Sequence, residues 1–364
     1  MSHQKNFAEL INRVPKLPTL PGVAVKILEA VKKDDLSLKE LGDIISADPA
    51  LSSEVLKLIN SSLFSLQREV TSVNHAVNLL GLNTVRNLAL SFSLVKNFKQ
   101  TGNTSFDYEA YWKESIIGAI TTRLLAQQFQ PTFAEDAFFL GLLHNIGLLA
   151  FSQAMPDQYN LIIRETSLSS CTWYEAENKI LGFDHTQFGQ YLVDSWGMPE
   201  TFSLPMRYHH CPEELETANK DIENITRILH LSSHLVDFLS RSGKDPLLLG
   251  LIEARAQEYG FAEELNLEEM TNTIQEQVRE ICPLFEVRST AEENYFQLID
   301  EARKELIRLS SSFLNSLLEQ KKQIEELNRK TVNDSLTGLI NYDCFNETLE
   351  KEIYRCLRHD LPLC

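Results

Sequence analysis

The sequence predicts an all-α protein. Apolar residues recur three and four apart through most of the 364 residues, strictly alternating patterns are scarce, and Gly and Pro are modest in number at 14 and 12. In SLKELGDIISADPALSSEVLKLINSSLF, from Ser37, a capping box of Ser37 and Glu40 precedes the stripe Leu41, Ile44 and Ile45. Asp48 before Pro49 restarts a helix, because a carboxylate caps free backbone N–H groups and Pro fits the first turn. Val73, Ala76, Val77 and Leu80 form another stripe, ended by Gly81. The polar stretch KQTGNTSFD, from Lys99, predicts a boundary, so one helical lobe is expected over 1–103 and a second over 104–286.

The most apolar segment, AFFLGLLHNIGLLAFSQAM (Ala137–Met155), is nearly long enough to span a bilayer. It carries His144, Asn145 and Gln153 and lacks charged interfacial flanks, so a buried helix is expected instead. A connecting segment over 287–333, free of Pro and Gly, predicts one long helix from about 290. In it Tyr295, Ile299, Ala302, Leu306, Leu309 and Phe313 alternate four and three apart, the seam of a coiled coil. Leu317 follows four further on, a stutter, and the seam resumes with Ile324, Leu327 and Thr331. A homodimer through 290–333 is expected, with the helix spanning on the order of 60 Å. The alternative is an amphipathic helix packed on its own domain. A new pattern begins at 334 and runs to 364.

A formal net charge of −17 argues against a nucleic-acid footprint, which needs Lys and Arg concentrated on one face, and disfavours acidic lipid surfaces. Six cysteines without a CxxC pair read as reduced thiols in a cytoplasmic protein. The start, MSHQKNFAEL, has no apolar signal core. Partners are therefore expected to be proteins, with neither nucleic acid nor membrane.

Histidines are the candidates for chemistry. His144 and Asn145 stand side by side, Asp184 precedes His185, and Arg207 and Tyr208 precede the pair His209 and His210. His230 and His234 share a helix face, with Asp237 a turn further on. Glu114, His144, His185 and His209 or His210 can converge on a metal, since imidazole and oxygen ligands suit divalent transition ions. Arg207, His209 and His210 are candidates for binding a ligand, Arg207 through a phosphate. Each histidine taken alone is more often structural, so His144 and Asn145 are expected as hydrogen-bonded core residues and no cofactor is expected. The alternative is one divalent metal such as Mn, Fe, Zn or Ni. Trp112, Trp173 and Trp196 are expected in packing. Neither a phosphate-binding glycine loop nor a Ser-His-Asp signature is present.

Leu17–Pro21, DPAL at Asp48–Leu51, INSS at Ile59–Ser62, AVNLLG at Ala76–Gly81, GLLHNIGLL, GFDHTQFG and RYHH together resemble the HDOD family, the HD-related output domain of bacterial signalling proteins. The resemblance covers roughly 10–240. It implies a helical bundle packed on a lobe similar to HD-type phosphohydrolases. Catalytic members of that wider group use an upstream His, a His-Asp pair and a downstream Asp to hold metal that activates water. Here the pair is His144-Asn145 and the upstream position carries Glu114. The resemblance therefore implies a non-catalytic regulatory module, with a phosphohydrolase or phosphodiesterase of variant ligand set as the alternative. DSLTGLINYDCF resembles the opening of a GGDEF domain, the diguanylate cyclase fold. Asp334, Leu336, Thr337, Gly338, Leu339, Asn341 and Phe345 carry that resemblance, while Tyr342 and Asp343 replace a commoner pair of arginines. It implies a truncated domain start without cyclase activity, controlled by the HDOD lobes in cyclic-di-GMP signalling.

Overall fold

A computed structural model of the protein describes residues 21–31, 37–98, 105–169, 171–240, 245–288, 295–332, 334, 337–359 and 362. Leu17–Leu20 and Leu336, parts of the two motifs, lie outside the described residues. The fold is all-α, and no β-strand occurs among the described residues.

The first lobe consists of α1 (Gly22–Val31), α2 (Leu38–Ser46), α3 (Pro49–Ile59), α4 (Val73–Leu80) and α5 (Leu82–Asn97). The expected caps are in place. Ser37 Oγ accepts from Glu40 N at 3.1 Å, and Asp48 Oδ1 accepts from Ala50 N and Leu51 N at 3.0 and 3.1 Å. Gly81, at φ +88°, ends α4 and leads directly into α5. Leu41, Ile45, Val73, Ala76 and Val77 all face the core, as their helical spacing requires. The INSS stretch is structural. Asn60 Nδ2 donates to Val70 O at 2.9 Å and Val70 N to Asn60 Oδ1 at 2.8 Å, closing the loop between α3 and α4.

The second lobe is built around α6 (Tyr108–Phe129), a helix buried on nearly all sides. Around it lie α7 (Ala134–Leu143), α8 (Ile146–Ala154), α9 (Pro156–Leu168), α10 (Trp173–Leu181), α11 (His185–Ser195) and α12 (Glu200–Tyr208). Then follow α13 (Lys220–Ser240), α14 (Pro246–Glu258) and α15 (Leu267–Ile281). The lobes join through a Phe92–Phe285 stack at 4.2 Å and a clamp of Ser62 by Glu280 of α15. There Ser62 N donates to both carboxylate oxygens at 3.1 Å. Trp112 and Trp196 are buried, but Trp173 is 38% exposed, because it opens α10 and only leans on Tyr159.

The stretch Ala137–Met155 is buried, as expected, but it is two helices rather than one. Pro131–Ala154 is long and apolar enough to cross a membrane, and most of it is covered by the rest of the lobe. The break falls on His144 and Asn145, where Asn145 has φ −101° and ψ 17°. Glycines flank the break because backbones cross there. A Cβ on Gly141 would lie 2.4 Å from Gly118 O of α6, and one on Gly147 would lie 2.0 Å from His185 O of α11. The segment turns between these two contacts, and the turn carries the His-Asn pair.

The chain divides into two compact units, 1–302 and 303–364, with the division inside α16 (Tyr295–Val332). Within the first unit, Ile299 and Ala302 of this helix belong to the core. In the second unit Leu309, Phe313, Leu314, Leu317, Leu318 and Ile324 are exposed. A tight turn follows. Asp334 Oδ1 accepts from Thr337 N at 2.9 Å and from Thr337 Oγ1 at 2.7 Å, and Gly338 takes φ +71°. Asn341 Oδ1 then accepts from Cys344 N at 2.9 Å, capping α17 (Tyr342–His359).

Gly147→Ala is expected to destabilise the protein by about 2 kcal/mol or more, because the backbone carbonyl facing it cannot yield as a side chain would. Gly189→Ala, whose Cβ would meet nothing closer than 3.6 Å, is expected to be neutral or stabilising. Urea unfolding of both variants checks the pair; equal midpoints would contradict the close-crossing account.

Candidate functional site: a convergence of imidazoles

Each histidine of the second lobe is placed by a helix end or a helix face. His144 follows α7, His185 opens α11 and His209 follows α12. Asp184 caps α11, accepting from Thr186 N at 2.8 Å and Gln187 N at 3.0 Å, and so fixes where His185 enters. His230 lies within α13, one turn before His234.

The ring nitrogens are oriented by groups that can only accept. His144 Nδ1 donates to Gly141 O at 2.7 Å, His209 Nδ1 to Met206 O at 2.8 Å and His230 Nδ1 to His209 O at 2.7 Å. His185 Nδ1 donates to Glu177 Oε2 at 2.7 Å, and its backbone N–H donates to the same oxygen at 2.9 Å. With the proton on Nδ1, each neutral ring presents an Nε2 lone pair. The rings of His144, His185, His209 and His210 converge, with one proton between the facing Nε2 atoms of His185 and His210. His185 Nε2 lies 3.0 Å from His210 Nε2, the His209 and His210 ring centroids are 4.0 Å apart, and those of His144 and His209 are 5.2 Å apart. One nitrogen from each of His185, His209 and His210 forms a group within 4.8 Å of one another.

Three buried acceptors in this region lack hydrogen-bond partners: His209 Nε2 and Glu177 Oε1, both on fully buried residues, and Asn145 Oδ1. The expectation of a satisfied core pair therefore holds for His144 Nδ1 but not for the Asn145 carbonyl oxygen. Glu114 is exposed on α6, one turn before Gly118, and is not a member of the triple. Arg207 is engaged beside it, donating from NH1 to Thr186 Oγ1 at 2.7 Å, 3.9 Å from Asp184 Oδ1 and over the Tyr208 ring. Asp237 is exposed on α13.

Sequence reading missed Glu177, which is fully buried and fixes His185. Glu177 sits next to Ala176, and these two are the buried residues of α10. A carboxylate behind an imidazole orients the ring and raises its basicity toward a metal.

Burial pushes His144 down to about 4, opposed by its hydrogen bond to Gly141. Burial and the neighbouring His210, His144 and His185 hold His209 well below its ordinary value. His210 is exposed by area, but desolvation of its ring and the nearby His185 and His144 lower it in the same direction. Burial also works against charge on His185, yet the Glu177 carboxylate prevails and raises it. The triple is thus neutral imidazoles around one oriented ring. It fits a single divalent ion with nitrogen ligands and lacks a carboxylate that would bridge two ions.

The family model for the HDOD domain matches residues 17–212, and the chain belongs to that family. An uncharacterised protein of Treponema pallidum is 25% identical over 215 residues, which are 58% of this chain and 41% of that protein. YuxH of Bacillus subtilis, also uncharacterised, is 30% identical over 124 residues, 34% of this chain and 30% of that one. The chain thus spans less than half the length of these curated relatives. A Shewanella amazonensis protein described as a candidate phosphohydrolase superposes with TM-score 0.59 at 23% identity, covering 76% of this chain and 97% of that one. An HDOD domain protein of unknown function from Geobacter sulfurreducens superposes with TM-score 0.55 at 19% identity, covering 85% and 96%. A candidate signal transduction protein from Marinobacter aquaeolei gives 0.57 at 24% identity, covering 79% and 65%. These likenesses establish the fold.

The lowered histidines set a pH dependence for the metal-free protein. A histidine whose folded pKa lies below its unfolded value binds a proton more readily when unfolded. Its stabilising effect is complete above pH ~6.5 and is lost as pH falls toward the folded value. His185 acts oppositely: its contribution is present below pH ~6.5 and is lost as pH rises through its raised folded value. The lowered groups, His144, His209, His210, His230 and His234, outnumber it. Thermal midpoints are expected to drop between pH 7.5 and 5, with His144 alone contributing about 2 kcal/mol at pH 5. His144→Gln is expected to flatten the profile; an unchanged slope would contradict the neutral, buried assignment.

Proposed function

We propose that this chain is the regulatory part of a bacterial signalling protein. Its HDOD unit binds a protein partner or small ligand at the imidazole-lined region of the second lobe, and α16 pairs with its counterpart in a second copy. The helix relays the state of the HDOD unit to a GGDEF domain beginning at Asp334, which makes the output cyclic-di-GMP signalling. A ligand drives such a relay only if it favours one of two arrangements. The observation that carries the reading is α16 itself. Its first turns are anchored in the HDOD core by Ile299 and Ala302, and its later seam positions Leu309, Phe313, Leu317 and Ile324 are exposed. An apolar row of that length on a continuous helix is stabilised by a partner helix. The turn closed by Asp334, Thr337 and Gly338 and the cap from Asn341 give the motif residues a local structural role, in keeping with a domain entry.

The histidine triple favours a second reading, a one-metal phosphoesterase centre held by His185, His209 and His210, with Glu177 orienting His185. A bound ion would supply an acidified water there. Near-stoichiometric metal in protein purified without chelator, with phosphodiester turnover lost in His209→Ala, is the outcome that reading requires.

For the regulatory reading, light scattering at micromolar concentration is expected to give twice the 41.6 kDa chain mass. Phe313→Lys combined with Leu317→Lys is expected to give the monomer without loss of helical circular dichroism. A monomeric wild type would refute the pairing. Cyclic-di-GMP output that is identical with and without the HDOD lobes, in a longer protein carrying the whole GGDEF domain, would refute the relay.

A further inference from the structure

A second pair of imidazoles adjoins the triple. His230 and His234 lie one turn apart on α13 with their Nε2 atoms 3.1 Å apart and their rings inclined at 74°. The His230 proton is fixed on Nδ1 by His209 O, so its Nε2 lone pair faces His234. His230 is buried and His234 half-buried, so His234 is the accessible side of the pair.

We propose that His230 and His234 chelate a divalent transition metal of the Zn2+ or Ni2+ type, with water in the remaining positions. With metal–nitrogen bonds of about 2.05 Å, a 3.1 Å separation of the nitrogens subtends about 98° at the ion. That lies between the octahedral and tetrahedral angles, so the spacing of the two nitrogens suits a shared ion, with each ring turning toward it. Two side chains four apart on one helix face supply such a pair without a loop, and imidazole selects Zn, Ni or Cu over Mg or Ca. The nearby Arg255 disfavours positive charge on both rings, and Glu258, 2.6 Å from its Nη1, offsets part of this at His230. The ring of Tyr259 lies edge-on, 6.1 Å from that of His230, and its buried hydroxyl has no hydrogen-bond partner. In the metal-free pair His234 Nε2–H donates to His230 Nε2. On binding, the His234 proton moves to Nδ1, both Nε2 lone pairs go to the metal, and no proton is released.

The pair borders the triple through the His230–His209 hydrogen bond but shares no ligand with it, and the test separates the two. The full chain, stripped of metal, is titrated calorimetrically with Zn2+ and with Mg2+ as wild type, His234→Ala and His185→Ala. His185→Ala is expected to keep one Zn2+ equivalent that His234→Ala loses, with no uptake of Mg2+. His234→Gln, which keeps a donor to His230 Nε2, replaces the alanine variant if circular dichroism shows that the latter unfolds, and is expected to show the same loss. Equal uptake by wild type and the His234 variant, loss only in His185→Ala, or no uptake by wild type would each overturn the proposal.

Discussion

The second lobe depends on backbones approaching where no side chain intervenes. Gly118 and Gly141 let α6 and α7 cross with carbonyls where Cβ atoms would otherwise sit, and Gly147 admits the first residue of α11. These contacts bring His144 against α6 and His185 against α8. Larger residues would separate the helices, and the imidazoles would no longer share one region. Close packing of this kind transmits small volume changes, so the glycines bear on the site as much as the histidines do.

Burial then imposes a second constraint. A buried imidazole needs a partner for its N–H, and here the partner is a backbone carbonyl for His144, His209 and His230 and a carboxylate for His185. Satisfying Nδ1 turns Nε2 toward a neighbouring imidazole in His185 and His230 and leaves it unpartnered in His209. The same hydrogen bonds that make these residues tolerable in a core make them competent ligands. Structural and functional readings of the histidines are therefore less opposed than they look in a linear sequence. Asn145 keeps the position beside His144 polar without adding a charge.

The two units differ in how they meet their apolar needs. In the first, nearly every large aliphatic side chain of the helices faces a neighbour, and the start of α16 joins that core. In the second, α16 and α17 carry exposed residues such as Phe313, at 65%, and none of the α17 residues is buried. Helical propensity and caps make these helices, and their apolar rows are exposed.

The sequence by itself determined the helical class, the caps at Ser37, Asp48 and Gly81, the burial of the Ala137–Met155 stretch and the HDOD resemblance. These follow from local periodicity and from side chains acting on backbone within a few residues. It also named most of the histidines that matter. Only the tertiary structure decided which of them meet, because His185 and His210 come together across 25 residues and two helices. It likewise decided that the apolar stretch breaks at His144, that Glu177 stands behind His185, and that Glu114 stays outside the triple. The break at His144 and the approach of His185 depend on backbone crossings at glycines that leave no periodic signal, since a missing side chain is legible only once its neighbour is in place.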